Sequence, residues 1–230
     1  MKKVLCIGDS LALPGHLNKY EDTWFYKLKR KFPEHDFISF FKRQLTTDVL
    51  VTMGGGLDGI DEMPKGADCL EFYNPDIVIL QLGIVDCAPR LLNKYDKIIL
   101  KLLPKTISSS YIGIIKRIRK RNLNNTLVPL ERFKSNLQNY VSRTKKINAR
   151  VLIISISIPD HNMVKKNKEI ITNVKWYNEL YNEFANNNSF ISVTQPLQPK
   201  DYNFPIYEDG YHPNQKGHSI IFNHLSALFQ

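Results

Sequence analysis

Apolar residues along this 230-residue chain fall into short runs that alternate with longer stretches of helical spacing. Val4, Leu5, Cys6 and Ile7 lie between lysines and Gly8-Asp9, which reads as a buried strand entering a tight turn that ends at Ser10. Asp22-Thr23 is a helix start, Trp24, Phe25, Leu28 and Phe32 recur at helical spacing, and Pro33 stops them. Residues 36–41 read as a second strand, 66–73 as a short helix, and 77–82 as a central strand, apolar almost throughout because both its faces are to be covered.

After Leu82 the alternation breaks. Two apolar clusters follow, Ile98-Ile99-Leu100 with Leu102-Leu103, then Tyr111-Ile112 with Ile114, Ile115 and Ile118, separated by Pro104 and the serines 108–110. They predict two amphipathic helices with basic polar faces. From Pro129 the regular pattern resumes with a helix carrying Phe133, Leu137, Tyr140, Val141 and Thr144, a strand over 150–156, a helix over 172–185 and a strand over 189–193. A last helix runs through Ile220, Phe222, Leu225 and Leu228. Strands alternating with helices predict an α/β fold, a largely parallel sheet with helices on both faces. The chain is expected to be one domain with a basic helical insertion at about 90–126, and it shows no internal repeat.

Composition narrows the class. Hydrophobic residues at 43% and charged residues at 23% are those of a globular chain, and no apolar run reaches the roughly 18 residues of a membrane span. The apolar run before Gly8 is too short for a signal peptide. Three cysteines, Cys6, Cys69 and Cys87, are odd in number and lack metal-ligand spacing, which fits free thiols in a reducing compartment; the expected location is the cytoplasm.

The net charge of +10 is localised. Residues 87–126 hold ten bases (Arg90, Lys94, Lys97, Lys101, Lys105, Lys116, Arg117, Arg119, Lys120, Arg121) against Asp96 alone, a net +9, so the remainder of the chain carries +1. A basic segment on a near-neutral body is a local electrostatic device. It fits an acidic glycan or an anionic membrane surface; nucleic acid fits less, because the run lacks interleaved aromatics beyond Tyr95 and Tyr111. A solvated hairpin packed on the body or on a second subunit is the plainer reading, and the oligomeric state is open.

The candidate chemistry is dispersed. Ser10 is placed at the carboxyl end of a strand, where open α/β sheets bind ligands. Asp209 and His212 lie three residues apart in a loop before the last helix, close enough for the carboxylate to orient the imidazole while its other nitrogen takes a proton from a serine. Separately, Gly8-Asp9-Ser10 is a common loop tripeptide and Asp209-Gly210 an ordinary turn; together they supply nucleophile, base and orienter.

With these blocks in this order, the chain resembles the SGNH or GDSL hydrolases: Gly8-Asp9-Ser10 resembles their nucleophile block, and Asp209-Gly-Tyr-His212-Pro213 their Asp-x-x-His block. The resemblance covers the whole length apart from the basic insertion. It implies a flavodoxin-like three-layer sandwich of about five parallel strands, and hydrolysis or transfer of an acyl ester through an acyl-serine with no metal or organic cofactor. It also implies an oxyanion hole from the backbone of Ser10 and of a glycine in Gly54-Gly55-Gly56, with Gly55 or Gly56 as the donor. The family's third block is Gly-x-Asn-Asp, whose asparagine donates to the oxyanion; here it reads Gly83-Ile84-Val85-Asp86. Valine cannot donate, and one lost oxyanion donor costs about 10²–10³ in rate. Arg90, on the same loop, is the nearest replacement, and Arg90 and Asp86 are candidate substrate or oxyanion contacts, the bland alternative being a surface Asp86–Arg90 pair. The expected activity is hydrolysis or transfer of an O-acyl, foremost O-acetyl, group on a carbohydrate such as a polysaccharide precursor; the alternative is a catalytically weak scaffold that binds an anionic glycan, a membrane surface or a partner protein. His161, His16 and His218 carry no role in this reading.

Overall fold

In a computed structural model the described residues are 1–15, 18–52, 69–90, 92, 94–119, 126–166, 168–197 and 210–229. Five strands, β1 (Lys3–Gly8), β2 (Asp36–Phe41), β3 (Ile77–Gln81), β4 (Arg150–Ile154) and β5 (Ile191–Thr194), form one parallel sheet in the order β2-β1-β3-β4-β5. This is the flavodoxin-like order, with the chain reversing direction across the sheet between β1 and β3. The helices are α1 (Trp24–Lys31), α2 (Val49–Thr52), α3 (Cys69–Tyr73), α4 (Ile84–Cys87), α5 (Lys94–Leu102), α6 (Lys105–Arg119), α7 (Leu130–Lys146), α8 (His161–Lys166), α9 (Glu169–Asn187) and α10 (Gln215–Leu228).

Residue alternation along the strands builds two cores. Val4 and Cys6 of β1, Ile77 and Ile79 of β3, and Leu152 and Ile154 of β4 pack with Trp24, Phe25 and Leu28 of α1 and Ile221 and Leu225 of α10. Leu5, Ile7, Val78, Leu80, Val151 and Ile153 face the other way, onto Phe133, Leu137 and Tyr140 of α7 and Val174, Tyr177 and Tyr181 of α9. Helices on both faces explain why the central strands read as continuous apolar runs. Thr23 caps α1, accepting from Tyr26 N at 3.3 Å, as the Asp-Thr start signal predicts.

Polar side chains tie the strand ends together. Trp24 Nε1 donates to Gln81 Oε1 at 2.7 Å, across the core. Asn178 brackets the end of β4, its Oδ1 accepting from Ile156 N at 2.9 Å and its Nδ2 donating to Ile156 O at 2.8 Å. Tyr181 Oη donates to Leu82 O at 3.1 Å. These buried groups have partners, which offsets their desolvation.

The two helices predicted in the basic segment are α5 and α6, joined by a hydrogen bond from Tyr111 Oη to Asp96 Oδ1 at 3.1 Å. A short helix that the hydrophobic pattern does not predict follows β4: His161 opens α8, with Asp160 Oδ1 accepting from Met163 N at 3.0 Å. That helix holds too few apolar residues for periodicity to reveal it. Among the described residues no helix is long and apolar enough to cross a membrane.

Candidate active site

The turn after β1 is held at both ends. Asp9 N donates to Gln81 O at 3.1 Å, tying the turn to β3, and Leu11 N donates to Asp9 Oδ1 at 2.8 Å, so the aspartate caps the single helical turn begun by Ser10. Asp9 is fully buried while Ser10 is half-exposed at the sheet's carboxyl edge. Burial, with a smaller contribution from the nearby Asp86, pushes the Asp9 carboxyl up to about 8. Its Oδ2 has no hydrogen-bond partner among the described residues. Asp9 is therefore a structural acid beneath the serine rather than a group facing substrate.

The loop carrying His212 reaches the serine from the far end of the chain. Gly210 holds φ +84°, and a Cβ there would meet the side chains of Met163 and Asp160, the latter at 2.6 Å, so glycine is required at this position by left-handed backbone and by close packing on the start of α8. Asp160 N donates to Gly210 O at 3.1 Å, and Asn18 Nδ2 donates to Pro213 O at 3.1 Å. Asn214 caps α10, accepting from Gly217 N at 3.0 Å, and Gln215 Nε2 donates to Asp22 Oδ1 at 2.7 Å. So anchored, His212 Nε2 lies 3.0 Å from Ser10 Oγ across 202 positions of sequence. That distance suits proton transfer between a serine hydroxyl and an imidazole.

Asp209 and Gly54, Gly55 and Gly56 lie outside the described residues, as does His16. Gly83 starts the third block with φ +113°, and a Cβ there would sit 2.6 Å from Ile156 Cδ1. Val85 follows on α4, buried among apolar neighbours and unable to donate. Asp86 corrects an expectation. It is fully buried, its Oδ1 accepting from Thr47 N at 2.8 Å and Thr47 Oγ1 at 2.5 Å, so it braces the segment before α2 and is closed to substrate. Burial raises its carboxyl to about 6 against the lowering effect of the Thr47 bonds. The surface Asp86–Arg90 pair is absent too: Arg90 is half-buried, and among the described residues its buried Nε has no hydrogen-bond partner.

Two groups escaped sequence reasoning, and a third, His218, was given no role by it. Thr47 was silent as one hydroxyl in a loop. Asn173, whose Nδ2 donates to Cys87 O at 2.9 Å, fixes the end of α4. His218 is fully buried on α10, where burial lowers it to about 4 and keeps it neutral; the helical spacing that makes Ile221 and Leu225 core residues placed it on the same face. His161 is exposed. The three cysteines are buried and free, and among the described residues no cluster of His, Cys, Asp and Glu could hold a metal ion.

The match to known families follows this geometry. Residues 6–220 match the model of the GDSL-like lipase/acylhydrolase family. The chain belongs to that family. As a GDSL-like acylhydrolase it falls among the ester-hydrolysing enzymes. No curated protein sequence matches it. Solved structures share the fold at low identity. A catalytic mutant of Axe2, an acetylxylan esterase from Geobacillus stearothermophilus, is 14% identical with a TM-score of 0.62, covering 98% of this chain and 93% of its own. The psychrotrophic esterase EstA from Pseudoalteromonas sp. is 16% identical with a TM-score of 0.57, covering 99% and 96%. LAE5, an alpha/beta hydrolase from the metagenome of Lake Arreo, is 18% identical with a TM-score of 0.60, covering 98% and 94%. The doubly covered parallel sheet of this GDSL-like protein is the shared scaffold.

Proposed function

We propose that this enzyme cleaves O-acyl esters, foremost O-acetyl esters of a carbohydrate such as a polysaccharide precursor, through an acyl-serine. The approach of His212 Nε2 to Ser10 Oγ at 3.0 Å carries the reading. In the first step Ser10 Oγ attacks the ester carbonyl carbon and its proton passes to His212 Nε2. The C–O bond to the sugar then breaks, and the departing oxygen takes that proton. In the second step water, or a sugar hydroxyl in a transfer reaction, loses its proton to His212 and attacks the acyl-serine, releasing the acid or the new ester and restoring the serine. Asp209 orients the imidazole, and the amides of Ser10 and of Gly55 or Gly56 meet the oxyanion. Arg90 takes the donor role that Val85 leaves vacant, or holds an anionic group of the substrate; its buried Nε, without a hydrogen-bond partner among the described residues, supports this. The acetyl and carbohydrate preference leans on the acetylxylan esterase among the similar structures. The buried free thiols favour a reducing, cytoplasmic setting.

The test is labelling by a fluorophosphonate together with a panel of acylated sugars and nitrophenyl esters of rising chain length. Wild-type protein should label and cleave acetyl esters fastest, and Ser10→Ala should do neither. Unlabelled wild-type protein would favour the second reading, a weakly catalytic scaffold that binds an anionic glycan or partner, which the buried apolar Val85 at the donor position supports.

A further inference from the structure

Amphipathic helices of a globular body turn their apolar stripe inward, as α1 does with Trp24, Phe25 and Leu28. Helix α5 does the reverse. Tyr95, Ile98, Ile99 and Leu102, spaced i, i+3, i+4, i+7, form one face, and they are 74%, 48%, 40% and 80% exposed. Ile107 and Ile114, one heptad apart on α6, are exposed as well. Ile115 of α6 is buried, but among the described residues neither core cluster includes a residue of α5 or α6.

Among the described side chains of the hairpin itself, the exposed charge has one sign. Lys101, Lys116 and Arg117 are exposed, whereas the segment's one acid, Asp96, is buried and accepts from Tyr111 Oη. An outward apolar stripe flanked by cations is the pattern of an interfacial helix, whose side chains enter the acyl boundary while its bases meet anionic headgroups. A second copy of the chain would bring +9 against +9. An acidic glycan answers the charge and leaves Leu102 and Ile98 in water. We propose that the α5–α6 hairpin docks this enzyme on a membrane surface rich in anionic lipid, with the Tyr95/Ile98/Ile99/Leu102 face inserted.

Vesicle co-sedimentation of the full-length protein tests this, with phosphatidylcholine alone and with added phosphatidylglycerol. Wild-type protein should pellet with the anionic vesicles and stay in solution with the neutral ones, and added salt should release it. Ile98→Asp/Leu102→Asp should abolish pelleting, and Lys101→Glu, Lys116→Glu and Arg117→Glu should each weaken partitioning by on the order of fivefold or more. These residues are exposed and lie outside the candidate site, so circular dichroism and fluorophosphonate labelling of Ser10 should match wild type, which separates this proposal from that of a serine esterase. Wild-type protein that stays in solution with anionic vesicles would overturn the proposal. So would Ile98→Asp/Leu102→Asp protein that still pellets, or a wild-type dimer that the same substitutions disperse, since the face would then belong to a second copy.

Discussion

Directly beneath the half-exposed Ser10, the adjacent Asp9 is fully buried, with one oxygen bonded to Leu11 N and the other unpartnered among the described residues. Its folded pKa, raised to about 8, has a consequence for stability. The folded state binds a proton that the unfolded chain releases near pH 4, so this contribution is complete below about pH 4 and is lost as pH rises through about 8. Asp86, raised to about 6, acts in the same direction at lower pH, and the lowered pKa of His218 opposes both below about 6.5, where its neutral folded form resists protonation. Between about pH 6.5 and 8 Asp9 dominates. Melting temperature should fall across that window in the wild type and stay flat in Asp9→Asn, which keeps the acceptor for Leu11 N and mimics the protonated acid; a slope unchanged in Asp9→Asn would refute the assignment.

The same scale sets the expectation for Arg90. If its guanidinium replaces the missing asparagine, Arg90→Ala lowers kcat by about 10²-fold, since one oxyanion donor is worth that much. If it holds an anionic group of the substrate instead, KM rises while kcat holds. Steady-state kinetics on the best ester of the panel reads both, and unchanged constants would remove Arg90 from the site.

At the scale of elements, the catalytic loop depends on how α8 and the loop before α10 fit together. Gly210 has no room for a methyl group beside Asp160 and Met163, and its φ is one that other residues avoid. Gly210→Ala should therefore shift the loop and lengthen the His212–Ser10 approach, slowing fluorophosphonate labelling by tenfold or more while far-UV circular dichroism stays near wild type, because a displacement of about 1 Å costs on the order of 10² in rate. The strands, and helices such as α1 and α7, were legible because each carries its own period and, for α1, its cap. Helix α8 was not, because His161, Met163 and Val164 offer no stripe and its helix is started by Asp160, which also clamps Gly210. Asp86 was misjudged for a similar reason: a carboxylate at a strand end looks available to substrate until Thr47 is brought against it from another loop.

Across the whole molecule, stability and surface chemistry are divided between separate regions. One core cluster joins the sheet to α2, α3, α4, α7 and α9 and the other joins it to α1 and α10, and among the described residues neither takes a side chain from α5 or α6. Replacing residues 97–124 by a flexible Gly/Ser linker should thus disturb melting temperature less than Phe133→Ala, a core truncation that costs about 3–5 kcal/mol, and should leave Ser10 open to labelling. A linker variant that fails to fold would show that the hairpin is part of the body's core.

The sequence by itself determined the alternation of strands and helices, the α/β class, the basic segment and the residue types of a nucleophile and its base, because hydrophobic period, caps and charge are local properties of the chain. Only the tertiary structure decided that Ser10 and His212 meet across 202 positions, that Asp9 and Asp86 lie in the dark while Ser10 faces solvent, and that the apolar stripe of α5 points outward. Those facts depend on which surfaces long-range packing covers, and burial, not residue type, sets both the protonation of a carboxyl and the availability of an apolar face.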